Sequence, residues 1–237
     1  MLEPDQIGLI VYDGMREDLY LKVNFQEANS QKLESLGWIL ATPSAPEATE
    51  ADDELFVELM DFTRPYGGED PLDPNCFCIG AALGAASADF GDDSVDIMGT
   101  TVAGAFEITT VAANGAAPLR NWITDQNFYL ADEADSILDF YIEKNWVFLA
   151  VRIDLEQARE AGALKTLKLS FFTEKPVFPF RISAINGLST RYDYDGEYDT
   201  STDVLLYLVS DQSLTAINRQ VSEEFDRSFA AEDLSGF

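Results

Sequence analysis

The stretch QIGLIVYDGMREDLYLKVNF, residues 6–25, decides how this chain begins to fold. Apolar and polar residues alternate on both sides of Asp13-Gly14, and glycine tolerates the positive backbone φ that a tight turn requires. The block therefore predicts a β-hairpin, with a turn lengthened by the three residues that follow Gly14.

Both strands of this hairpin show the two-residue period of half-buried strands. Four apolar residues of the second strand point to one side: Leu19, Leu21, Val23 and Phe25. The residues between them point to the other side: Asp18, Tyr20, Lys22 and Asn24. In the first strand we expect Ile7, Leu9 and Val11 to lie opposite the apolar face.

A third strand and a helix follow. Residues 36–42 predict a strand that ends at Pro43 and Pro46, because proline cannot donate to a ladder. Thr49 has the character of an N-cap, and the acidic residues after it suit the first turn of a helix. We therefore predict an amphipathic helix over residues 52–62. Its apolar face carries Leu55, Phe56, Leu59 and Phe62.

The second half of the chain predicts several more elements. Strands are expected at residues 105–113, 147–153, 166–171, 178–184 and 204–209. One helix has Pro118 in its first turn, and a second, capped by Asp132, has an apolar face of Ala134, Ile137, Leu138, Tyr141 and Ile142. Alternating strands with short connections predict an α+β fold, with a largely antiparallel sheet and about three helices packed on one face.

We expect one domain made of two portions. Residues 1–65 form an N-terminal hairpin, strand and helix, and residues 102–221 form a C-terminal α+β portion. Residues 66–101 between them are rich in Gly, Ala, Asp and Pro, so we expect a long loop more mobile than its flanks. Residues 222–237 are expected to form an acidic tail.

The charge of the chain restricts its partners. It has 15 Lys and Arg against 43 Asp and Glu, a net charge of −28. Nucleic acids and anionic membrane surfaces repel such a field, so neither is expected as a partner. Three interpretations remain: a hydrated surface for a saline habitat, neutralisation by a cationic partner or divalent metal, and a surface that only confers solubility.

Histidine is absent, which removes the side chain most used for acid–base catalysis near neutral pH. The chain has two cysteines, Cys76 and Cys78, and a zinc site would need four ligands. The pair is therefore a structural or incidental feature, with a disulfide expected outside the cell, or a redox pair.

An acidic turn is the candidate metal site. Asp193, Asp195, Glu197 and Asp199 surround Gly196, and Asp203 lies just beyond. Calcium takes six to eight oxygen ligands in flexible geometry, so this pattern predicts weak calcium binding. The spacing does not match an EF-hand loop, and the alternative is a solvated turn between two strands.

Several ordered blocks resemble a bacterial and archaeal family known as domain of unknown function 2330. In the first half these are residues 6–25 and GWILATPSAPEATEADDELFVEL, residues 37–59. In the second half they are AGAFEITTVAA, WITDQNF, DFYIEKNWVFLAVRID and LKLSFFTEKPVFPFRISA. The resemblance covers most of the chain outside the 66–101 loop and the tail, and it implies no particular reaction.

Members of that family usually carry a secretory signal, and some carry a membrane anchor. The resemblance therefore implies an extracytoplasmic location, at the cell surface or secreted. This chain starts MLEPDQ, without the basic segment and apolar core of a signal peptide. We expect a mature or trimmed extracytoplasmic domain.

These features predict a non-enzymatic module that binds an unknown protein partner or forms part of a surface assembly. The alternative is a metal-dependent or carboxylate-driven hydrolase, because acid pairs are recognised by geometry rather than by spacing. A deep cleft of converging carboxylates would favour the hydrolase. A shallow face rimmed by aromatic residues would favour binding.

Overall fold

The structure is a computed structural model. It describes residues 6–22, 35–63, 95–128, 130, 134–160, 164–183, 191–192, 198–199 and 204–210, with the backbone alone at 191–192 and 198–199. The strands are β1 (Gln6–Tyr12), β2 (Arg16–Lys22), β3 (Ser35–Thr42), β4 (Glu47–Ala51), β5 (Val95–Ala103), β6 (Phe106–Ala113), β7 (Val147–Asp154), β8 (Thr166–Phe172), β9 (Arg191–Tyr192), β10 (Tyr198–Asp199) and β11 (Val204–Ser210). The helices are α1 (Glu54–Thr63), α2 (Ala116–Asp125), α3 (Ala134–Ile142), α4 (Leu155–Glu160) and α5 (Phe180–Ser183).

The strands form two main sheets. One has the order β11-β1-β2-β8-β4 and the other the order β3-β7-β6-β5, while β9 and β10 pair with each other. Every pair is antiparallel except β1 with β11, which is parallel. The fold is therefore α+β and mostly antiparallel, as predicted, but its strands are divided between sheets.

The layers follow the order helix, sheet, sheet, helices. The inner faces of the two sheets share one core, which includes Leu19 and Leu169 of the five-stranded sheet and Trp38 and Val151 of the four-stranded sheet. Helix α1 covers the outer face of the five-stranded sheet through Phe56, and α2 and α3 cover the outer face of the other. The expectation of about three helices on one face is wrong. The described residues form five helices, and each sheet has apolar residues on its outer face that need cover, which for the five-stranded sheet include Ile7 and Leu9 of β1.

The N-terminal hairpin forms as predicted, and its second strand buries Leu19 on the inner face. The expectation that Ile7, Leu9 and Val11 of β1 lie opposite this apolar face is wrong, because Leu19 pairs with Ile10 and Leu9 pairs with Tyr20. The outer face carries Ile7, Leu9 and Val11. Strand β1 is apolar on both faces, so its composition did not reveal which set of residues faces inward.

The residues before α1 form a strand that the sequence did not predict. Thr49 is not an N-cap: it lies in β4 and pairs with Lys168. The helix begins at Glu54, whose backbone N–H donates to the Oδ1 of Asp52 at 3.2 Å. An edge strand with a solvated face needs little apolar periodicity, so EATEA gave no strand pattern.

Two other segments also differ from expectation. Residues 95–101, assigned to the long loop, belong to strand β5. A strand was expected at 178–184, but its described residues 178–183 do not form one: an irregular segment leads into the single turn of α5. Pro176 and Pro179 explain this, because neither can donate to a ladder.

The other predicted elements that lie in the described ranges agree with the structure, whereas α4, β9 and β10 were not predicted. The strands predicted at 36–42, 105–113, 147–153, 166–171 and 204–209 are β3, β6, β7, β8 and β11. Pro118 lies in the first turn of α2, and α3 buries Ala134, Leu138 and Tyr141. The cap expected at Asp132 and most of the 66–101 loop lie outside the described residues. The described helices are all too short and polar to cross a membrane.

Candidate functional site

Strand β5 is the most exposed element of either main sheet. All seven residues from Asp96 to Val102 are exposed, although strands of sandwiches normally bury one face. Among the described residues it pairs with β6 on one side only, so its other backbone edge is open. Three exposed side chains are large and apolar: Ile97, Met98 and Val102. We call Val95–Ala103 the β5 edge.

The β5 edge is held in place by its hairpin with β6. Gly104 in the turn has a φ of +55°, a conformation that glycine adopts without strain. The Oε1 of Glu50 accepts the N–H of Ala105 at 3.3 Å, which ties this turn to β4 of the other sheet. Further along, the hydroxyls of Thr100 and Thr109 lie 3.2 Å apart across the two strands. The edge is therefore ordered although little packs against it.

Acidic side chains surround the β5 edge. Asp96 is part of the strand, Glu107 pairs with Val102 from the neighbouring strand, and Glu50 lies at the hairpin turn. In the described part of the chain, the guanidinium of Arg152 lies 3.8 Å from the Glu107 carboxylate. The local charge has the same sign as that of the whole chain.

A network of polar side chains covers the outer face of β2, β8 and β4. It comprises Arg16, Asp18, Glu47, Lys168 and Ser170, and we call it the Lys168 cluster. The Nζ of Lys168 lies 2.7 Å from Oδ2 of Asp18, and the Ser170 hydroxyl donates to Oδ1 of the same carboxylate at 2.5 Å. Arg16 lies 3.6 Å from Asp18 and 3.0 Å from Glu47.

This cluster is suited to holding strands together rather than to catalysis. The hydrogen bond to Asp18 raises the pKa of Lys168, so its amine stays protonated and cannot act as a base. Burial by itself raises the pKa of Asp18, but hydrogen bonds from Lys168 and Ser170 outweigh it and lower that pKa. A carboxylate with a lowered pKa is a weak base, so Ser170 is not activated as a nucleophile.

A shallow depression lies at the edge of the four-stranded sheet. Its cavity volume is about 10 Å³, far below the ~300–1,000 Å³ of small-molecule pockets. It is lined by Ser35, Leu36, Gly37, Gln126, Asn127, Phe128 and Arg152. The Nη2 of Arg152 donates to the carbonyl oxygen of Gln126 at 3.2 Å. None of these described lining residues is a carboxylate, so among them the depression has no acid pair of a carboxylate-driven hydrolase.

The site residues predicted from the sequence fall outside what the structure describes. Cys76, Cys78, Asp193, Asp195, Glu197 and Asp203 are not among the described residues. Asp199 is described by its backbone alone, which pairs with Arg191 between β10 and β9. Within the described ranges no three acidic or cysteine side chains are grouped to hold a metal ion. Calcium binding and the state of the cysteine pair stay predictions.

Sequence reasoning missed the β5 edge and one buried acid. Residues 95–103 read VDIMGTTVA, and the β-branched residues were a strand signal obscured by the Gly- and Ala-rich stretch before them. Glu17 is fully buried on the inner face of β2. The alternating pattern of the second strand already predicts this burial, because Glu17 is two residues before Leu19 and therefore lies on the same face of the strand.

The comparisons with known proteins identify a family and no closer relative. No curated protein and no solved structure shows significant similarity to this chain. One family model matches residues 4–193, which is more than half of the chain and ends before β10 and β11. The chain therefore belongs to the family described as "uncharacterized protein conserved in bacteria" (DUF2330).

Proposed function

We propose that this protein is an extracytoplasmic, non-enzymatic module that binds an extended, basic segment of a partner protein along the β5 edge. The partner segment adds one strand to the four-stranded sheet. The observation that carries the proposal is the run of seven exposed residues in a strand that pairs on one side within the described part of the chain.

An open strand edge is a binding surface because its N–H and C=O groups are free to pair. Strand addition takes its affinity from main-chain hydrogen bonds and its specificity from alternate side chains. Proteins usually blunt such edges with lysine, proline or very short strands. The β5 edge has nine residues, no lysine and no proline, and its one charged residue is Asp96. The edge does contain a bulge between Ile97 and Gly99, a feature that also blunts edges.

Charge selects the kind of segment. Asp96, Glu107 and Glu50 lie on or beside the β5 edge, and the whole chain carries −28. A basic segment is attracted to this field at long range, whereas a second copy of the chain is repelled. Association should therefore be fast at low salt and slower at high salt.

The extracytoplasmic part of the proposal rests on the family resemblance alone. Labelling of intact cells with a membrane-impermeant biotin reagent tests it in a bacterium that encodes the protein. We expect the protein in the labelled surface fraction or in the culture medium. Recovery in the unlabelled cytoplasmic fraction would contradict the location but leave the binding proposal standing.

Synthetic peptides test the binding mode. We would measure the affinity of an eight-residue peptide of alternating Lys and Val and of its Glu–Val counterpart. Two further Lys–Val peptides carry N-methyl groups on every second amide, one on the odd-numbered and one on the even-numbered amides, so that each blocks the hydrogen bonds of one strand edge. We expect the Lys–Val peptide to bind and the Glu–Val peptide not to bind. One of the two N-methylated peptides should bind at least tenfold more weakly than the parent Lys–Val peptide. Equal binding of both N-methylated forms and the parent would show charge attraction without strand addition and would refute the proposal.

Two substitutions with the same charge change locate the site. Val102→Lys adds a cation to the β5 edge, and Val57→Lys adds one to the exposed surface of α1. We expect Val102→Lys to weaken Lys–Val peptide binding at least tenfold and Val57→Lys to change it less than threefold. An equal effect of the two substitutions would place the binding surface elsewhere.

A further inference from the structure

Glu17 is a carboxyl group buried between the two sheets. Its side chain is inaccessible to solvent, and its neighbours in the sheet register are Tyr12 in β1 and Phe171 in β8. The buried inner face of the four-stranded sheet is apolar, with Leu36, Trp38, Leu40, Phe106, Ile108, Leu149, Val151 and Ile153. Such surroundings strongly disfavour a charged carboxylate.

The Glu17 carboxyl is incompletely satisfied. Its Oε2 accepts the backbone N–H of Val177 at 2.8 Å, while its Oε1 has no hydrogen-bond partner among the described residues. A buried polar atom without a partner costs free energy in either protonation state, and more when the group is charged.

The charged and titratable groups of the surrounding elements do not neutralise Glu17. From β1 comes the Tyr12 hydroxyl, and from the hairpin turn Asp13, which accepts the N–H groups of Met15 and Arg16. From β2 itself, Arg16 and Asp18 belong to the outer face with Lys168 of β8. From the segment after β8 come Glu174 and Lys175, both exposed to solvent.

Residues 173–179 form a single irregular segment over this carboxyl, and we call it the strap. Three hydrogen bonds to other described residues attach it: Thr173 N–H to Met15 O at 2.9 Å, Tyr12 hydroxyl to Thr173 O at 3.4 Å, and Val177 N–H to Glu17. Phe178 lies so close to Gly8 that a Cβ there would be 2.8 Å from its ring. The strap thus covers the inner surface of β1 and β11.

We propose that the strap is a pH-sensitive cover, which opens when the Glu17 carboxyl ionises and uncovers the inner surface of β1 and β11. The physical reason is hydration. An ionised Glu17 needs water, and the strap, which belongs to neither sheet, is the segment of the described residues that binds this carboxyl from outside the sheets. Opening detaches the Val177 N–H and moves Phe178 away from Gly8.

The pH range follows from the direction of the shift. Burial raises the pKa of Glu17 from 4.5 to about 8. The closed form therefore binds the proton more tightly than the open form. The free-energy preference for the closed form is fully present below pH ~4.5 and is lost as the pH rises to about 8. The equilibrium constant for opening, the ratio of open to closed form, therefore rises roughly tenfold per pH unit between these values. Burial also raises the pKa of Tyr12 above 10, so Tyr12 stays neutral throughout this range.

Hydrogen exchange tests the strap directly. The protection factor of the Val177 amide, corrected for the intrinsic rate, is measured from pH 6 to 9 in the wild type, Glu17→Gln and Glu174→Gln. We expect it to fall about tenfold per pH unit up to pH ~8 in the wild type and in Glu174→Gln, the exposed control on the strap. In Glu17→Gln, which keeps an oxygen for Val177, it should stay constant. A pH-dependent fall in Glu17→Gln, or none in the wild type, would overturn the proposal.

A second amide separates strap opening from global unfolding. Val151 is fully buried in the centre of the four-stranded sheet, and its protection should not change over the same pH range. If the protection of Val151 and Val177 fell together, Glu17 ionisation would unfold the whole domain and the strap would not be a local cover. Glu17→Met provides a second neutral variant if Glu17→Gln fails to fold; the protection of Val177 should then be lower, because methionine offers its N–H no oxygen, but still independent of pH.

Discussion

The Nζ atom of Lys168 lies 2.7 Å from the Oδ2 atom of Asp18, joining the neighbouring strands β8 and β2 on the outer face of the five-stranded sheet. Both side chains are about three-quarters buried, and Ser170 donates to the same carboxylate. This ion pair differs from an exposed one because its geometry is fixed by the sheet and its carboxylate has a second hydrogen bond.

We predict that Asp18→Asn lowers the free energy of unfolding by about 1–2 kcal/mol at pH 7. The folded-state pKa of Asp18 is lowered below 3.8, so its contribution is present above pH ~4 and is lost as the pH falls through the folded-state value. Urea unfolding of both proteins at pH 7 and pH 3 measures this, and the difference should be smaller at pH 3. Glu107→Gln, which removes the half-exposed partner of Arg152, is the control and should cost less than ~0.5 kcal/mol.

The packing of helix α1 should contribute to stability through Phe56 and not through Phe62. Phe56 is fully buried against Ile7 and Leu9, whereas Phe62 is 78% exposed. We predict that Phe56→Ala costs about 3–5 kcal/mol and that Phe62→Ala changes stability by less than ~0.5 kcal/mol. Chemical unfolding of the two variants is the measurement. Similar losses for both would mean that Phe62 is covered by part of the chain outside the described residues.

Gly104 should tolerate no side chain, unlike Gly115. A Cβ on Gly104 would collide with the Glu50 carboxylate, and its φ of +55° is unfavourable for alanine. We predict a loss of about 1–3 kcal/mol for Gly104→Ala, because both strain and the Glu50 hydrogen bond to Ala105 contribute. Gly115→Ala meets only Pro118 at an ordinary 3.6 Å and should be within ~1 kcal/mol of the wild type. Thermal unfolding curves would contradict this account if the two losses were equal.

Salt should not destabilise this protein. Its 43 acidic residues repel one another, and the Debye length falls from ~30 Å at 0.01 M to ~3 Å at 1 M ionic strength. We predict a melting temperature that rises or stays constant between 0.01 M and 1 M sodium chloride. A melting temperature that falls with salt would show that favourable ion pairs, such as those of the Lys168 cluster, outweigh the general repulsion.

Much of the secondary structure could be predicted, and the errors have local causes. Thr49 was assigned to a helix cap because β4 is short and solvated on one face, which leaves no apolar period. Residues 178–184 alternate like a strand in sequence, yet Pro176 and Pro179 disfavour ladder pairing, and the described residues 178–183 form no strand. The β5 edge was assigned to a loop because an exposed strand carries no burial pattern. The candidate sites predicted from composition were local clusters, whereas the Lys168 cluster joins Asp18 and Lys168, 150 positions apart.

The sequence by itself determined which residues of each predicted strand share a face, where the hairpin turns at Asp13-Gly14, and that the chain is strongly acidic. It determined these because they depend on neighbours a few residues away. Only the tertiary structure decided that β1 pairs with β11 in parallel, that the strands divide between two sheets, and that Glu17 lies beneath the strap. A two-residue period specifies faces but not partners, and the choice of partner depends on burying both faces of both sheets at once.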